Sequence, residues 1–201
     1  MLPLPLFRAR PVAVPISVGF AFTVGFYGLV FLFSLYLEEQ RGLSPLITGL
    51  SFVPMTGVGA VVTLIAPRIA ARFGPRVSVA VGQLLMAVGL ASLVVAVGVP
   101  VPVLLLVGLT VPVGAGRALT IPTITALLVG SVPVERAGTA SSALNTSRQP
   151  GGAIAVAVFG ALVAQRETFV SGMQVSLAMG ALLLVASTLA SLRLADQSAR
   201  S

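Results

Sequence analysis

The stretch "NTSRQPGG" at residues 145–152 runs directly into "AIAVAVFGALVA" at residues 153–164, and the reading of that junction decides the fold. From Gly151 to Ala164 the chain has fourteen apolar or small residues. At 1.5 Å per helical residue they rise about 21 Å, short of the roughly 30 Å hydrocarbon core of a bilayer. A helix that crosses here must therefore borrow Asn145, Arg148 and Gln149, which then lie inside the helix rather than in a loop ahead of it. Ser131 is placed to cap such a helix, with Pro133 and Glu135 in its first turn, where a carboxylate complements the helix dipole.

Composition makes the crossing the natural reading. Hydrophobic residues form 57% of the 201-residue chain and charged residues 8%, too few to cover the surface of a soluble domain. The mean hydropathy of +1.08 points the same way, to an all-α integral membrane protein. The chain has no Cys and no His, which removes disulfides, thiolate nucleophiles, the usual zinc sites and every His-based triad. No enzyme activity, cofactor or metal is expected. The twelve basic residues are all arginine, and the net charge is +7. They stand singly between apolar runs instead of forming a patch, so they suit membrane orientation and not nucleic acid.

Outward from the junction, six segments reach spanning length: Val12 to Leu37, Leu46 to Ala66, Val77 to Gly98, Val103 to Val129, Leu144 to Ala164 and Gly172 to Leu192. Between them lie "EEQRGLSP", "PRIAARFGPR", "VPVP", "GSVPVERAG" and "QRETFVS", short stretches rich in turn residues. The predicted organisation is a juxtamembrane linker over residues 1–11, a six-span bundle over 12–192 and a tail over 193–201. "MLPLPLFRARP" has no basic region ahead of a short apolar one, so it reads as a linker and not a signal peptide. With both termini in the cytoplasm, the inner segments carry Arg8, Arg10, Arg68, Arg72, Arg76, Arg136, Arg193 and Arg200, and the outer loops only Arg41 and Arg166. Eight against two sets that orientation, in the cell membrane.

Arg117 lies well inside the fourth span. A charge at that depth costs about 2.5–3.5 kcal/mol on insertion scales, so it should face protein or water and have a partner. No carboxylate sits inside any of the six spans, and the counter-charge must come from another polypeptide, a lipid headgroup, water or a transported anion. Thr110, Gly114, Arg117 and Thr120 share one helical face, narrow and polar enough to wall a hydrated cavity; alternatively Arg117 snorkels into water without touching a substrate. Pro112 and Pro122 bracket Arg117, and Pro54 and Pro150 interrupt the second and fifth spans, as do prolines at bends in transporters and in many membrane helices with no mechanical role. On the fifth span, Ser141, Asn145, Arg148, Gly152 and Ala155 form one stripe, and Ser142, Thr146, Gln149, Ala153 and Ala157 a second beside it. Small residues at that spacing admit close helix contact, and Asn or Gln can bond across it.

Three stretches carry a family resemblance: "YLEEQRGLSPLITGLSFVP" (36–54), "PRIAARFGPR" (67–76) and "VPVERAGTASSALNTSRQPGGAIAVAVFG" (132–160). In these the chain resembles the major facilitator superfamily, and within it the carboxy-terminal half of the fourteen-span drug:proton antiporters. The resemblance implies one six-span half-bundle, itself a 3+3 inverted repeat. It implies that the first and fourth spans line the central cavity, that the second and fifth meet the other half, and that the third and sixth face lipid. Arg117, Thr110, Gly114 and Thr120 then become substrate-cavity candidates, and Asn145, Arg148, Gln149 and Gly152 candidates for the interface between halves. Arg72, Gly74 and Arg76 align with the second half of the family's loop motif, while Ala71 stands where its Asp would be and Pro67 where its first Gly would be.

The expected function is half of a multidrug exporter, working on small amphipathic compounds by alternating access once joined to an amino-terminal half in the bilayer. The alternatives are a truncated or partner-binding membrane protein without transport of its own, and a parallel pair in which a second copy supplies the missing half. The five acids, Glu38, Glu39, Glu135, Glu167 and Asp196, all lie outside the apolar spans, so no group in the bundle is suited to carry a proton.

Overall fold

The computed structural model describes residues 10–198, and side chains from residue 14 to residue 192. The described residues are helical almost throughout. Helix α1 (Arg10–Leu35) ends in a single π-helical turn, Tyr36–Gln40. The second span is two pieces, α2 (Pro45–Ser51) and α3 (Val53–Phe73). Then come α4 (Pro75–Ala96), α5 (Val103–Gly130), α6 (Ala137–Leu162) and α7 (Phe169–Ser198).

Local chemistry explains the ends. Ser44 caps α2, its hydroxyl accepting from the Ile47 amide at 3.4 Å, with Pro45 at the first helical position. Between α3 and α4 the chain reverses on one residue, Gly74, whose φ of 87° is open to glycine at little cost. "PRIAARFGPR" is therefore not a loop: Pro67–Phe73 continues α3, and α4 starts at Pro75. Its arginines extend the helices past the apolar segment instead of decorating a turn. Ser131 does not cap α6; its hydroxyl bonds back to the Leu128 carbonyl at 2.8 Å and closes α5, while α6 follows a 3-10 turn at Val134–Arg136.

The first helix reaches into the expected linker. Arg10 and Pro11 are already in α1, and residues 1–9 of the linker lie outside the described residues. Likewise α7 runs on through Ser198, so most of the expected tail is helix, and residues 199–201 lie outside the described residues.

The packing order is that of a 3+3 repeat. Helix α1 packs chiefly on α6 and α7, α5 chiefly on α3 and α4, and α4 packs on α7. Exchanging the first three spans for the last three converts the α1 contacts into the α5 contacts and leaves α4–α7 as it is. Five helical segments are long and apolar enough to cross a membrane: 14–40, 45–73, 75–96, 103–130 and 166–192. Helix α6 falls short on apolarity, because Asn145–Gln149 occupies its middle. It nevertheless runs parallel to α1 in register: Gly19 lies against Leu144 and Arg148, Gly151 against Phe20, Gly28 against Phe159 and Gly160 against Phe31. A helix that tracks a spanning neighbour for that distance shares its depth, polar residues included.

Most of the core is one cluster uniting α1, α4, α5, α6 and α7 around Phe22, Phe33, Leu90, Leu106, Phe159 and Leu184. A smaller cluster of Val18, Val79, Ile124, Leu128 and Leu144 lies toward the end where α3 meets α4. Backbones approach closely where side chains are absent: a Cβ on Gly116 would collide with the Gly82 carbonyl of α4, and one on Gly114 with the Met55 carbonyl of α3. Two polar contacts lock the bundle. Gln83, fully buried on α4, donates to the Ser187 hydroxyl at 3.1 Å and accepts from Thr188 at 3.1 Å, both on α7. At the far end Arg41 donates to the Tyr36 hydroxyl and to the Val101 carbonyl, each at 3.0 Å, tying the end of α1 to the α4–α5 connection.

A cationic cleft on the open face

The helices leave α1, α5 and α6 sharing an uncovered face, and α1 supplies its floor. Phe22 and Phe26, one helical turn apart, stack with ring centroids 5.7 Å apart and an interplanar angle of 10°. Tyr27 meets Phe26 edge-on at 5.5 Å. Two guanidinium groups rest on this stack from two other helices. Arg117 of α5 lies 5.0 Å over Phe26, and Arg148 of α6 lies 5.4 Å over Phe22. Four residues of helix separate the two platforms, about 6 Å along the α1 axis at 1.5 Å per residue. Phe26 is near the midpoint of the 14–40 span, so Arg117 sits at mid-depth and Arg148 one turn nearer the arginine-rich end.

Neither guanidinium has a carboxylate partner among the described residues. Arg148 donates one long bond from Nη1 to Asn145 Oδ1 at 3.5 Å, and its buried Nε has no acceptor. With five N–H donors available, the group is largely unspent. Beside it opens a cleft of about 800 Å³ lined by Thr23, Tyr27, Asn145, Arg148, Gln149 and Gly152, continuing over Ala153, Val156 and Ala157. One end is polar and cationic; the other is apolar.

The sequence-predicted residues divide. Of the four on α5, only Arg117 is exposed. Thr110 and Thr120 are fully buried, their hydroxyls bonded to the Val107 and Gly116 carbonyls, and Gly114 is pressed against α3. The stripe is real as a helical register, but three of its members are packed in the interior of this bundle. A helix buried on most of its circumference hides the side on which a polar stripe lies. On α6, Asn145, Arg148, Gln149 and Gly152 do come together, in the wall of the cleft. Gly152 lies against Tyr27 and Arg148 over Phe22, so these two are occupied by α1, whereas Asn145 and Gln149 are exposed. The second stripe, Ser142, Thr146, Gln149, Ala153 and Ala157, is exposed along its whole length. Arg72 and Arg76 are exposed around Gly74, with Arg72 over the ring of Phe73 at 5.4 Å, away from the cleft. Phe22, Phe26, Tyr27 and Gln83 escape sequence reasoning; the spacing of Phe22 and Phe26 is the one signal that would have found the platform.

The profile of the Major Facilitator Superfamily matches residues 1–156. The chain belongs to the major facilitator superfamily. Among relatives, it is 33% identical over 164 residues to the multidrug resistance protein Stp of Mycobacterium tuberculosis, covering 82% of this chain and 30% of that protein. It is 31% identical over 169 residues to the tetracenomycin C resistance and export protein of Streptomyces glaucescens, covering 83% and 31%. It is also 31% identical over 182 residues to the methylenomycin A resistance protein of Streptomyces coelicolor, covering 90% and 38%. The chain thus spans about a third of the length of the curated relatives it matches. These relatives are drug-resistance and export proteins, and the helices of this chain form an all-α half-bundle of the superfamily's fold.

Proposed function

We propose that this chain acts as the carboxy-terminal half of a multidrug efflux transporter, exporting small amphipathic compounds from the cell by alternating access when joined to an amino-terminal half. The observation that carries the reading is the uncovered face with Arg117 and Arg148 at membrane depth. Two unpaired guanidinium groups do not stand against lipid. They call for a second bundle that encloses the cleft in water and protein. Names and lengths of the relatives support the same partnership, and half of a transporter needs no catalytic step.

In this reading α1, α5 and the cleft wall on α6 line the shared cavity, while the other half meets the exposed side of α3 and the outer edge of the α6 stripe. Asn145 and Gln149 stand at the rim of the cleft, where the other half closes over it. Arg72 and Arg76, flanking the Gly74 reversal, then sit at the cytoplasmic surface, and an arginine excess on that side supports both termini lying on the cytoplasmic side of the cell membrane. Cysteines introduced at Ser44 and Ser171 then react with an impermeant thiol reagent from outside, and one at Ser131 does not; the opposite pattern overturns the orientation.

The transport reading is tested by joining this chain to the amino-terminal half of a related exporter and measuring drug efflux from cells. Arg117→Ala is expected to lower efflux while membrane abundance is unchanged. Equal efflux with and without this chain removes the proposal and favours a partner-binding membrane protein. A second copy can replace the amino-terminal half only as a parallel pair, since the arginine bias excludes opposed orientations; cross-linking through a cysteine at Ala153 reads that outcome.

A further inference from the structure

We infer that the Arg117–Arg148 pair and the cleft beside it form a binding site for a monoanionic aromatic amphiphile, with the anion held between the guanidinium groups and the apolar body laid toward Ala153, Val156 and Ala157. This deepens the transport reading by assigning charge to the compound, and it rests on that reading only for the compound's subsequent movement.

Four observations converge. The two cations approach one aromatic stack from different helices, Arg117 over Phe26 and Arg148 over Phe22, so their spacing is set by α1 rather than by their own flexibility. Neither is neutralised by a carboxylate among the described residues. Arg148 keeps an enclosed Nε without an acceptor and only one long bond from Nη1, and an oxyanion is the acceptor that planar donor groups match best. The cleft is graded, with Thr23, Tyr27, Asn145 and Gln149 around the cationic end and Ala153, Val156 and Ala157 beyond it. A small inorganic anion would use only the first part and an uncharged drug only the second. A compound with one anionic group on an aromatic or apolar body uses both. A cation is disfavoured by two guanidinium groups resting on one aromatic stack in a medium of lowered dielectric, where repulsion is poorly screened.

The chain contains no Trp, so a single indole introduced at the apolar end of the cleft reports on it without background. The 201-residue chain carrying Ala157→Trp is placed in phosphatidylcholine nanodiscs and titrated with dansylglycine, a carboxylate, and with dansylcadaverine, a cation sharing the same ring system. Energy transfer from the indole to dansyl is measured against empty nanodiscs. Saturable transfer is expected for dansylglycine, with an apparent affinity about tenfold above that for dansylcadaverine, equivalent to about 1.4 kcal/mol. Arg117→Gln and Arg148→Gln should each weaken dansylglycine binding several-fold and together abolish the preference, whereas Arg148→Lys should retain part of it. Equal affinities for the two dyes, absence of saturable transfer to dansylglycine, or a preference that survives the double change overturns the site.

Should a Gln variant fail to give a monodisperse helical protein, competition settles the point without it. Naphthalene-2-carboxylate must displace dansylglycine from the Ala157→Trp chain more strongly than naphthalene-2-methanol does, and equal displacement overturns the site. Binding and export fail separately. A chain that selects the anion but restores no efflux with an amino-terminal half keeps the site and loses the transport reading. Restored efflux with no anion preference has the reverse meaning.

Discussion

Gln83 and Arg148 are both polar side chains within a bundle of membrane helices, and they have opposite fates. Gln83 on α4 has donor and acceptor satisfied by Ser187 and Thr188 of α7, and no surface. Arg148 on α6 has one bond of 3.5 Å within its own helix, an enclosed Nε without an acceptor, and a cleft beside it. A polar group whose bonds close inside the chain holds helices together. One whose bonds stay open is free to meet a partner beyond the described residues. The α4–α7 contact is thus closed by its own bonds, and the α1–α5–α6 face leaves guanidinium donors open.

The largest expected effect tests the closed side. Gly116→Leu drives a side chain into the Gly82 carbonyl and Met86, so the folded fraction recovered by size-exclusion chromatography should fall to nearly nothing, while Gly108→Leu, with no neighbour in reach, should leave it unchanged. Gly108 and Gly116 share α5, so equal losses would mean that the α4–α5 contact is not what limits folding.

A middle-sized effect separates the two polar sites. Gln83→Leu removes both bonds to α7 and should destabilise the bundle by roughly 1–2 kcal/mol, read as a lower melting temperature in detergent, with dansylglycine binding unaffected. Arg148→Gln should do the reverse, since replacing an unsatisfied charge relieves a desolvation cost and removes a ligand contact. If both changes move stability alike, the contrast between closed and open polar groups fails.

The smallest effect is at the outer latch. Arg41→Gln loses a bond to Tyr36 and one to Val101 at a partly exposed position, where ~0.5–1 kcal/mol is expected, visible as faster hydrogen exchange in residues 97–101. Unchanged exchange would show that the α4–α5 connection is held by packing alone. Proton coupling provides a last check on incompleteness. With Glu38, Glu39, Glu135 and Glu167 all exposed, the chain alone in vesicles under a pH gradient should show no gradient-driven drug movement. Movement by the chain alone would place a proton carrier among these acids, with Glu38 or Glu39 at the end of α1 as the first to replace.

Much of this was legible in the sequence because the bilayer is a severe solvent. Backbone groups in hydrocarbon must bond internally, so long apolar segments are helices whatever surrounds them. That reasoning placed Asn145, Arg148 and Gln149 within a helix, as α6 has them, because fourteen apolar residues are too few to cross. It also singled out Arg117, since a charge at depth is costly wherever it points, whereas Arg148 was legible only as a member of a packing stripe. What remained hidden was direction. Thr110, Gly114 and Thr120 share a register with Arg117, yet rotation of α5 against α3 and α4 buries these three and exposes the fourth. Likewise the stack of Phe22 and Phe26 becomes a platform for two cations only because α1 runs parallel to α6 and crosses α5. Spacing along one helix determines which residues share a face; only packing between helices decides what that face meets, because close-packed contacts depend on shape and not on polarity alone.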